Sequence, residues 1–484
     1  MNEKSLKEKT VAGFKWSAVD RLFQQLFVLI SGIALARMVD KENFGLMGAL
    51  AIFTGIANIL QESGFTSAII RKKNISQSDY ITVFYTNISI GIFLYLLLFF
   101  LAPYIGQFYE KPILVPLARF IFLSFLFNSF SVVQNARLLK EINYKFLTKN
   151  NVSAIFISYS IAIVLAWLGY GVWALAAQMV ILSFIKTFNL WVFTQWKPQG
   201  NFSKTTFKEF FSFSFKLMCG SILCSTMANL PQNVISKQYS FGISGLYTQA
   251  YKLYNTVVEF LTGTTHSVPF PVLSTIEDDI RLKKIYRKFI RIKAFIVFPL
   301  FIGMILLARP FIHLLLGERW LDAYPILQLL CLGGIFSALD TSNGDMLRIK
   351  GKSGTILSLV IYQNILMVCV IFVSLFFQLN YLYLVAGVAV TYFLKYIITT
   401  IITNRHIEYK MKELLLDLFP YGAISLFAFA CVYSLFYLVS NLVIQLILGV
   451  TIFAIIYLGI LYYLDSKVVK DFFEIFIKKR RFIK

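Results

Sequence analysis

The segment "RMVDKENFGLMGALAIF" occupies Arg37 to Phe53, and two hundred positions later the chain reads "KQYSFGISGLYTQAYKL" from Lys237 to Leu253. In each, a basic residue stands eight positions before a Gly-Leu pair: Arg37 before Gly45-Leu46, and Lys237 before Gly245-Leu246. Both segments join one long apolar stretch to the next. A boundary written twice at equivalent places predicts an internal repeat, and the repeat decides the fold.

The medium comes from composition. The 484 residues are 58% hydrophobic and 14% charged, with a mean hydropathy of +0.71. Soluble chains average about 45–50% apolar and about 25% charged residues, so this chain has more apolar surface than a soluble core could hide. The 49 Phe and 26 Tyr suit rings that pack in lipid or sit at its interface. Five cysteines all fall in apolar stretches and read as small buried hydrophobes. Three widely separated histidines form no metal-ligand pattern.

About fourteen stretches, from 14–38 to 441–464, reach the ~20 apolar residues that a bilayer requires. The expectation is an all-α integral membrane protein of about 14 transmembrane helices. The first stretch lacks a signal-peptide cleavage site and is expected to be retained. With the N-terminus in the cytoplasm, most of the 46 Lys and Arg fall on the cytoplasmic side. They lie in the two tails and the 71–80, 137–149, 196–216, 276–293, 348–352 and 405–412 segments. The opposite side keeps Arg37, Lys41, Lys111, Lys237, Arg309 and Arg319. This asymmetry places both termini in the cytoplasm. The net charge of +22 is then a topology signal that meets anionic membrane lipids, and no nucleic acid is expected as a partner.

Six spans fall in 1–200 and six more in 201–405, so the two copies insert in the same orientation and form a parallel repeat. "LAPYIGQFYEK" from Leu101 is echoed by "LARPFIHLLLGER" from Leu307. Two pseudo-symmetric six-helix lobes around a central cavity are expected. Within the second lobe, residues 274–293 place Ile280, Ile285, Phe289 and Ile292 among Lys and Arg, the pattern of an amphipathic helix on the inner leaflet. Two further spans and a basic cytoplasmic tail ending "KKRRFIK" fill 406–484.

Enzyme chemistry finds little support. "GDMLRIKGKSGT" contains Gly351-Lys352-Ser353, but a phosphate-wrapping loop needs glycine five earlier, where Met346 stands. No nucleophile–base pair is evident, so no catalytic residue, metal or cofactor is expected. What remains are ionisable residues inside apolar spans, which usually face a bundle interior or a wet cavity. Asp20, Arg21, Gln24 and Gln25 interrupt the first span, with Arg21, Gln24 and Gln25 three and four apart on one face. Arg119, Lys186, Lys252, Glu259, Asp340, Asp345 and Lys395 interrupt later ones. Deep cations outnumber carboxylates. Arg21, Gln24, Gln25, Lys186 and Lys252 are candidates for a cavity that binds an anionic substrate, with Arg37 and Lys237 at matching outer span ends. Internal salt bridges or snorkelling side chains are the alternative reading, and Arg119 and Lys395 suit it best.

The quoted segments, with "GFKWSAVDRLFQQ" (Gly13–Gln25), "LQESGFTSAIIRKK" (Leu60–Lys73), "GYGVWALAAQ" (Gly169–Gln178) and "LLGERWLDAYPILQLL" (Leu315–Leu330), resemble the Wzx-type polysaccharide transporters. These are lipid-linked oligosaccharide flippases of the multidrug/oligosaccharidyl-lipid/polysaccharide exporter superfamily, here closest to its lipopolysaccharide-biosynthesis and exopolysaccharide-export branch. The resemblance implies two lobes around a cationic cavity and alternating access. It implies translocation of undecaprenyl-diphosphate-linked O-antigen, capsule or exopolysaccharide repeat units from the inner to the outer leaflet of the bacterial cytoplasmic membrane. Other glycan-assembly proteins would be partners. Where relatives often carry an acid about six residues before the second hinge cation, this chain has Pro231, Gln232 and Asn233. Two other activities compete. A drug/cation antiporter of the same superfamily would favour acidic cavity residues, and a membrane glycan polymerase or ligase would need a long external loop.

Overall fold

The computed structural model describes residues 3–464 apart from 63–64, 73, 195, 268–272, 274–275 and 277. The basic tail beyond 464 and most of 274–278 lie outside the described residues. No strand occurs among those described, as expected where lipid leaves backbone groups no partner but their own helix.

Among the described residues, seventeen α-helices follow in order. They are α1 (Glu3–Met38), α2 (Lys41–Ala49), α3 (Ala51–Glu62), α4 (Phe65–Arg71), α5 (Gln77–Phe108), α6 (Leu114–Ser129), α7 (Val132–Lys140), α8 (Tyr144–Trp167) and α9 (Val172–Thr194). Then come α10 (Lys204–Gln238), α11 (Phe241–Ser267), α12 (Asp279–Leu316), α13 (Tyr324–Ile349), α14 (Ser353–Phe376), α15 (Tyr381–His406), α16 (Met411–Phe436) and α17 (Leu442–Tyr463). A short 3₁₀ helix, Glu318–Ala323, joins α12 to α13.

Among the described residues, ten helices are long and apolar enough to cross a membrane, and up to twelve if the bent pairs α2–α3 (46°) and α6–α7 (44°) each count as one span. The fourteen expected differ by two helices. At 35 and 27 residues α10 and α11 are long enough to span, but both are rich in polar side chains. Asn229, Gln232 and Asn233 interrupt α10, and Gln249, Lys252, Asn255 and Glu259 interrupt α11. Such helices need protein or water, rather than lipid, along one side.

Two compact units result, 1–248 and 249–484. The boundary falls later than the repeat boundary at 200/201 because α10 packs on α2, α3, α4 and α5. One core of the first unit joins Leu46, Leu50, Leu94, Leu98, Ile121, Phe122 and Phe125, all buried. A second joins Phe65, Ile69, Ile81, Phe84 and Phe210. The start of α5 is a capping box, in which Ser76 accepts from the Asp79 amide and Asp79 accepts from the Ser76 amide.

In the second unit the expected surface helix has a different form. From Asp279 the amphipathic stretch is the first part of one continuous 38-residue helix, α12, because Asp278 caps its first amides and nothing breaks it before Pro299. Its cations are therefore held beside α16: Lys283 pairs with Glu413 at 2.9 Å, and Arg287 reaches Asp417 at 2.8 and 3.2 Å.

Candidate functional site

The two hinge segments meet in the first unit. Four residues into α2, Gly45 lies so close to the start of α11 that a Cβ on it would stand 1.9 Å from the Phe241 carbonyl oxygen. Four residues into α11, a Cβ on Gly245 would stand 1.8 Å from the Lys41 carbonyl oxygen. Each glycine thus admits the backbone at the first residue of the other hinge helix, and no side chain fits at either place. Around this crossing Gln232 donates to the Ser244 carbonyl at 3.1 Å and to Ser244 Oγ at 2.5 Å. Ser236 and Ser244 hydroxyls lie 2.6 Å apart, and Tyr109 donates to Asn233 Oδ1 at 2.8 Å. Gln232 is thus a neutral tether of the crossing, and Asn233 ties α10 to Tyr109 at the end of α5.

The hinge cations take different surroundings. Lys237 donates to Glu110 Oε1 at 2.8 Å and lies 5.3 Å from the Phe108 ring centroid. The hydrogen bond and charge of Lys237 hold Glu110 below the usual carboxylate range. Arg37 is exposed in the last turn of α1. Lys111 on the same side lies over the Phe241 ring at 5.7 Å.

A second polar level runs across α1, α8 and α9. Adjacent asparagines on α8 reach in two directions: Asn151 donates to Asp20 Oδ2 at 3.0 Å, and Asn150 donates to the Lys186 carbonyl at 3.3 Å. Thr148 fastens α8 to the Trp16 carbonyl at 3.0 Å, and Phe27 packs on Phe156 and Tyr159. Arg21 and Lys186 therefore sit at one depth of the helix triad. Arg21 is exposed, whereas Gln24, Gln25 and Lys186 are half-buried. Asp20 Oδ1 and Asn150 Oδ1 are buried with no hydrogen-bond partner. Among the described residues this level carries Asp20, Arg21 and Lys186 on α1 and α9, with α8 packed against both helices.

Lys252 lies half-buried on α11, in the second unit. That unit contains a buried network which the sequence reading missed. Lys293, only 4% exposed, donates to the hydroxyls of Thr341 and Ser342. Lys395 pairs with Asp340 at 3.3 Å, and Tyr286, Asn343 and Thr400 form a chain with 2.8 and 2.9 Å links. Lys395 is thus an internal salt-bridge partner, as its alternative reading expected. Arg119, in the first unit, stacks over Phe99 at 4.1 Å. The burial of Lys293 could not be read from its sequence neighbours, Arg291 and Lys288, which look like a solvated basic run.

Comparison with known proteins adds the lineage. The profile of a family described as "Polysaccharide biosynthesis protein" matches residues 34–325. The lipopolysaccharide biosynthesis protein WzxC of Escherichia coli (strain K12) is 27% identical over 72% of this chain and 71% of its own length. The teichuronic acid biosynthesis protein TuaB of Bacillus subtilis (strain 168) is 24% identical over 72% of this chain and 73% of its own. Among solved structures, the lipid II flippase MurJ in an inward closed conformation superposes with a TM-score of 0.76 at 16% identity, covering 93% of this chain and 99% of that one. An inward-facing MATE family multidrug transporter of the MOP superfamily superposes with a TM-score of 0.64 at 16% identity, covering 80% and 94%. The fold is that of these transporters. With the family profile spanning more than half of its length, the chain belongs to the polysaccharide biosynthesis protein family.

Proposed function

We propose that the protein is a flippase for a lipid-linked oligosaccharide, carried on undecaprenyl diphosphate from the inner to the outer leaflet of the bacterial cytoplasmic membrane. Helices of 1–200 and 201–405 act as the two lobes of an alternating-access cycle, with 406–484 as an addition, and both termini are cytoplasmic. The relatives named for lipopolysaccharide and teichuronic acid biosynthesis support a glycan cargo. The observation that carries the reading, in a chain of this family, is that α8 ties the Asp20–Arg21 turn of α1 and the Lys186 turn of α9 to one level through its adjacent asparagines. Cations there replace water around diphosphate oxygens, Arg with a fork of donors and Lys as a point charge. Gln24 and Gln25 add neutral donors for the first sugars. Lys252, on α11 in the second unit, is a further candidate cation, and Arg37 and Lys237 are the candidates at the outer end. An antiporter of organic cations would need carboxylates in these places.

The test is translocation in proteoliposomes holding a fluorescent undecaprenyl-diphosphate oligosaccharide. Transport makes the oligosaccharide accessible to an impermeant lectin on the far side. Vesicles in which lectin access never exceeds that of protein-free controls would refute the reading.

A further inference from the structure

The cytoplasmic end of α10, as the basic residues orient it, is pinned on one side and, among the described residues, exposed on the other. Ser203 caps the helix and its amide donates to Thr82 at 2.9 Å; Thr206 donates to Asp79 at 2.9 Å. Phe210 and Ser214 are buried on the same side. The opposite side carries a ladder of rings. Phe202, Phe207, Phe211 and Phe215 follow one another with centroids 6.0, 5.4 and 5.6 Å apart. Phe202, Phe211 and Phe215 are 47%, 39% and 49% exposed. Beside them run Lys204 and Lys208, both exposed and one helical turn apart. Phe202, Lys204, Phe207, Lys208, Phe211 and Ser212 line a groove of about 560 Å³. No carboxylate lines it, and the adjacent Glu209 lies 3.9 Å from Lys72.

Rings alone would be ordinary on a membrane helix: Phe372 and Phe376 of α14 also stack, at 5.9 Å, with no lysine alongside. Their pairing with two cations is what distinguishes α10. From Phe207 to Phe215 the ladder rises about 12 Å, long enough for the first isoprene units of a polyprenyl chain. Two ammonium groups a turn apart match the multiple negative charges of a diphosphate better than the single charge of a phosphodiester headgroup.

We propose that this groove is a loading site for the polyprenyl-diphosphate carrier of the cargo. Lys204 and Lys208 hold the phosphates, and Phe207, Phe211 and Phe215 support the proximal isoprenes. The identity of the lipid rests on the flippase reading; the shape and charge of the groove do not. Loading here would fix the carrier by its membrane end before the glycan enters, leaving the sugars free for the polar level of α1, α8 and α9.

The experiment uses the full chain in nanodiscs of phosphatidylethanolamine and phosphatidylglycerol, with a benzophenone-bearing undecaprenyl diphosphate as photoprobe and the label mapped by mass spectrometry. The label should fall within 202–215 and be displaced by unlabelled undecaprenyl diphosphate, but not by added phosphatidylglycerol. Lys204→Gln with Lys208→Gln should lower labelling about tenfold. Phe372→Leu with Phe376→Leu should leave it unchanged. Equal displacement by phosphatidylglycerol, or labelling indifferent to the lysines in a variant that retains its thermal midpoint, overturns the proposal. The displacement arm uses only the unaltered protein and stands even if the variants fold poorly. Translocation without label on α10 sinks the groove and spares the flippase; label on α10 without translocation does the reverse.

Discussion

Gly45 and Gly245 are each opened to the other's helix: the space for a Cβ on one is filled by the Phe241 carbonyl, and on the other by the Lys41 carbonyl. Lys41 and Phe241 stand at equivalent positions of the two hinges, as do Gly45 and Gly245, so the crossing is its own pseudo-symmetric mate. The Gly-Leu pair is written twice because two backbones must touch here, and either glycine alone opens only half of the contact.

Alanine at either glycine forces the α2–α11 crossing apart. Gly45→Ala and Gly245→Ala should each cost about 1–3 kcal/mol, the range for an overpacked site. The double variant should cost less than the sum, because one separation relieves both clashes. Thermal unfolding gives the energies. Spin labels at Glu42 and Ser240 should report a longer, broader distance in both variants. An unchanged distance with normal stability would show that the crossing already yields in the native protein.

The Lys237–Glu110 pair predicts a pH dependence. Glu110 is held below its ordinary value of 4.5, so the unfolded chain binds its proton at a higher pH than the folded one. Its stabilisation is present above about pH 4.5 and lost as pH falls through the lower folded value. At neutral pH, Glu110→Gln should lower the thermal midpoint slightly, and added salt should shrink the difference because Glu110 is exposed. Below the folded value the two midpoints should converge. A gap that persists in acid would assign the effect to something other than this charge.

The fold was legible because its signal is periodic and summed over many residues: apolar run length marked the long helices. The two helices that fall short of the apolar standard, α10 and α11, were still recognisable by length and by their flanking hinges. Pairings between distant residues were not legible. Nothing beside Arg287 in sequence announces Asp417, and nothing beside Asn151 announces Asp20. Lys293 illustrates the limit: it ends a run of surface-like cations, yet α12 turns it inward to Thr341 and Ser342. The candidate cations of α1 and α9 were found because charge in an apolar span is costly, a signal carried by one residue and its neighbours.

Arg21 should matter to transport and not to folding. It is exposed, so Arg21→Ala should change stability by no more than about 0.5 kcal/mol. Surface-glycan assembly and lectin-detected translocation should nevertheless be lost. Arg21→Lys should restore only part, because the planar fork of donors is gone while the charge remains. Full activity of a well-expressed Arg21→Ala protein would remove Arg21 from the binding set.

Asp417 supplies the last prediction. Its carboxylate, 8% exposed, receives both Nε and Nη2 of Arg287 and the hydroxyl of Tyr409 at 2.5 Å, and Arg291 approaches to 3.7 Å. Burial, followed by this hydrogen bond to a carboxylate, pushes the Tyr409 hydroxyl well above its ordinary range, so it stays protonated and donates to Asp417. The cluster joins α12 to the start of α16, with Lys283 and Glu413 as an outer pair. Removing Asp417 leaves two guanidinium groups facing each other with no anion between them. Breaking a fully buried pair costs about 3–5 kcal/mol, and the partial exposure of Arg287 lowers the expectation to about 2 kcal/mol. Asp417→Asn keeps the shape and loses the charge, so it should fall between the native protein and Asp417→Ala. Tyr409→Phe, which deletes one donor, should cost about 1 kcal/mol. Thermal unfolding ranks the three, and limited proteolysis at 407–410 reads the clasp directly: cleavage should quicken in the order Tyr409→Phe, Asp417→Asn, Asp417→Ala. If Asp417→Ala matches the native protein in both measurements, α16 is held by its apolar contacts with α12 and the charges are incidental.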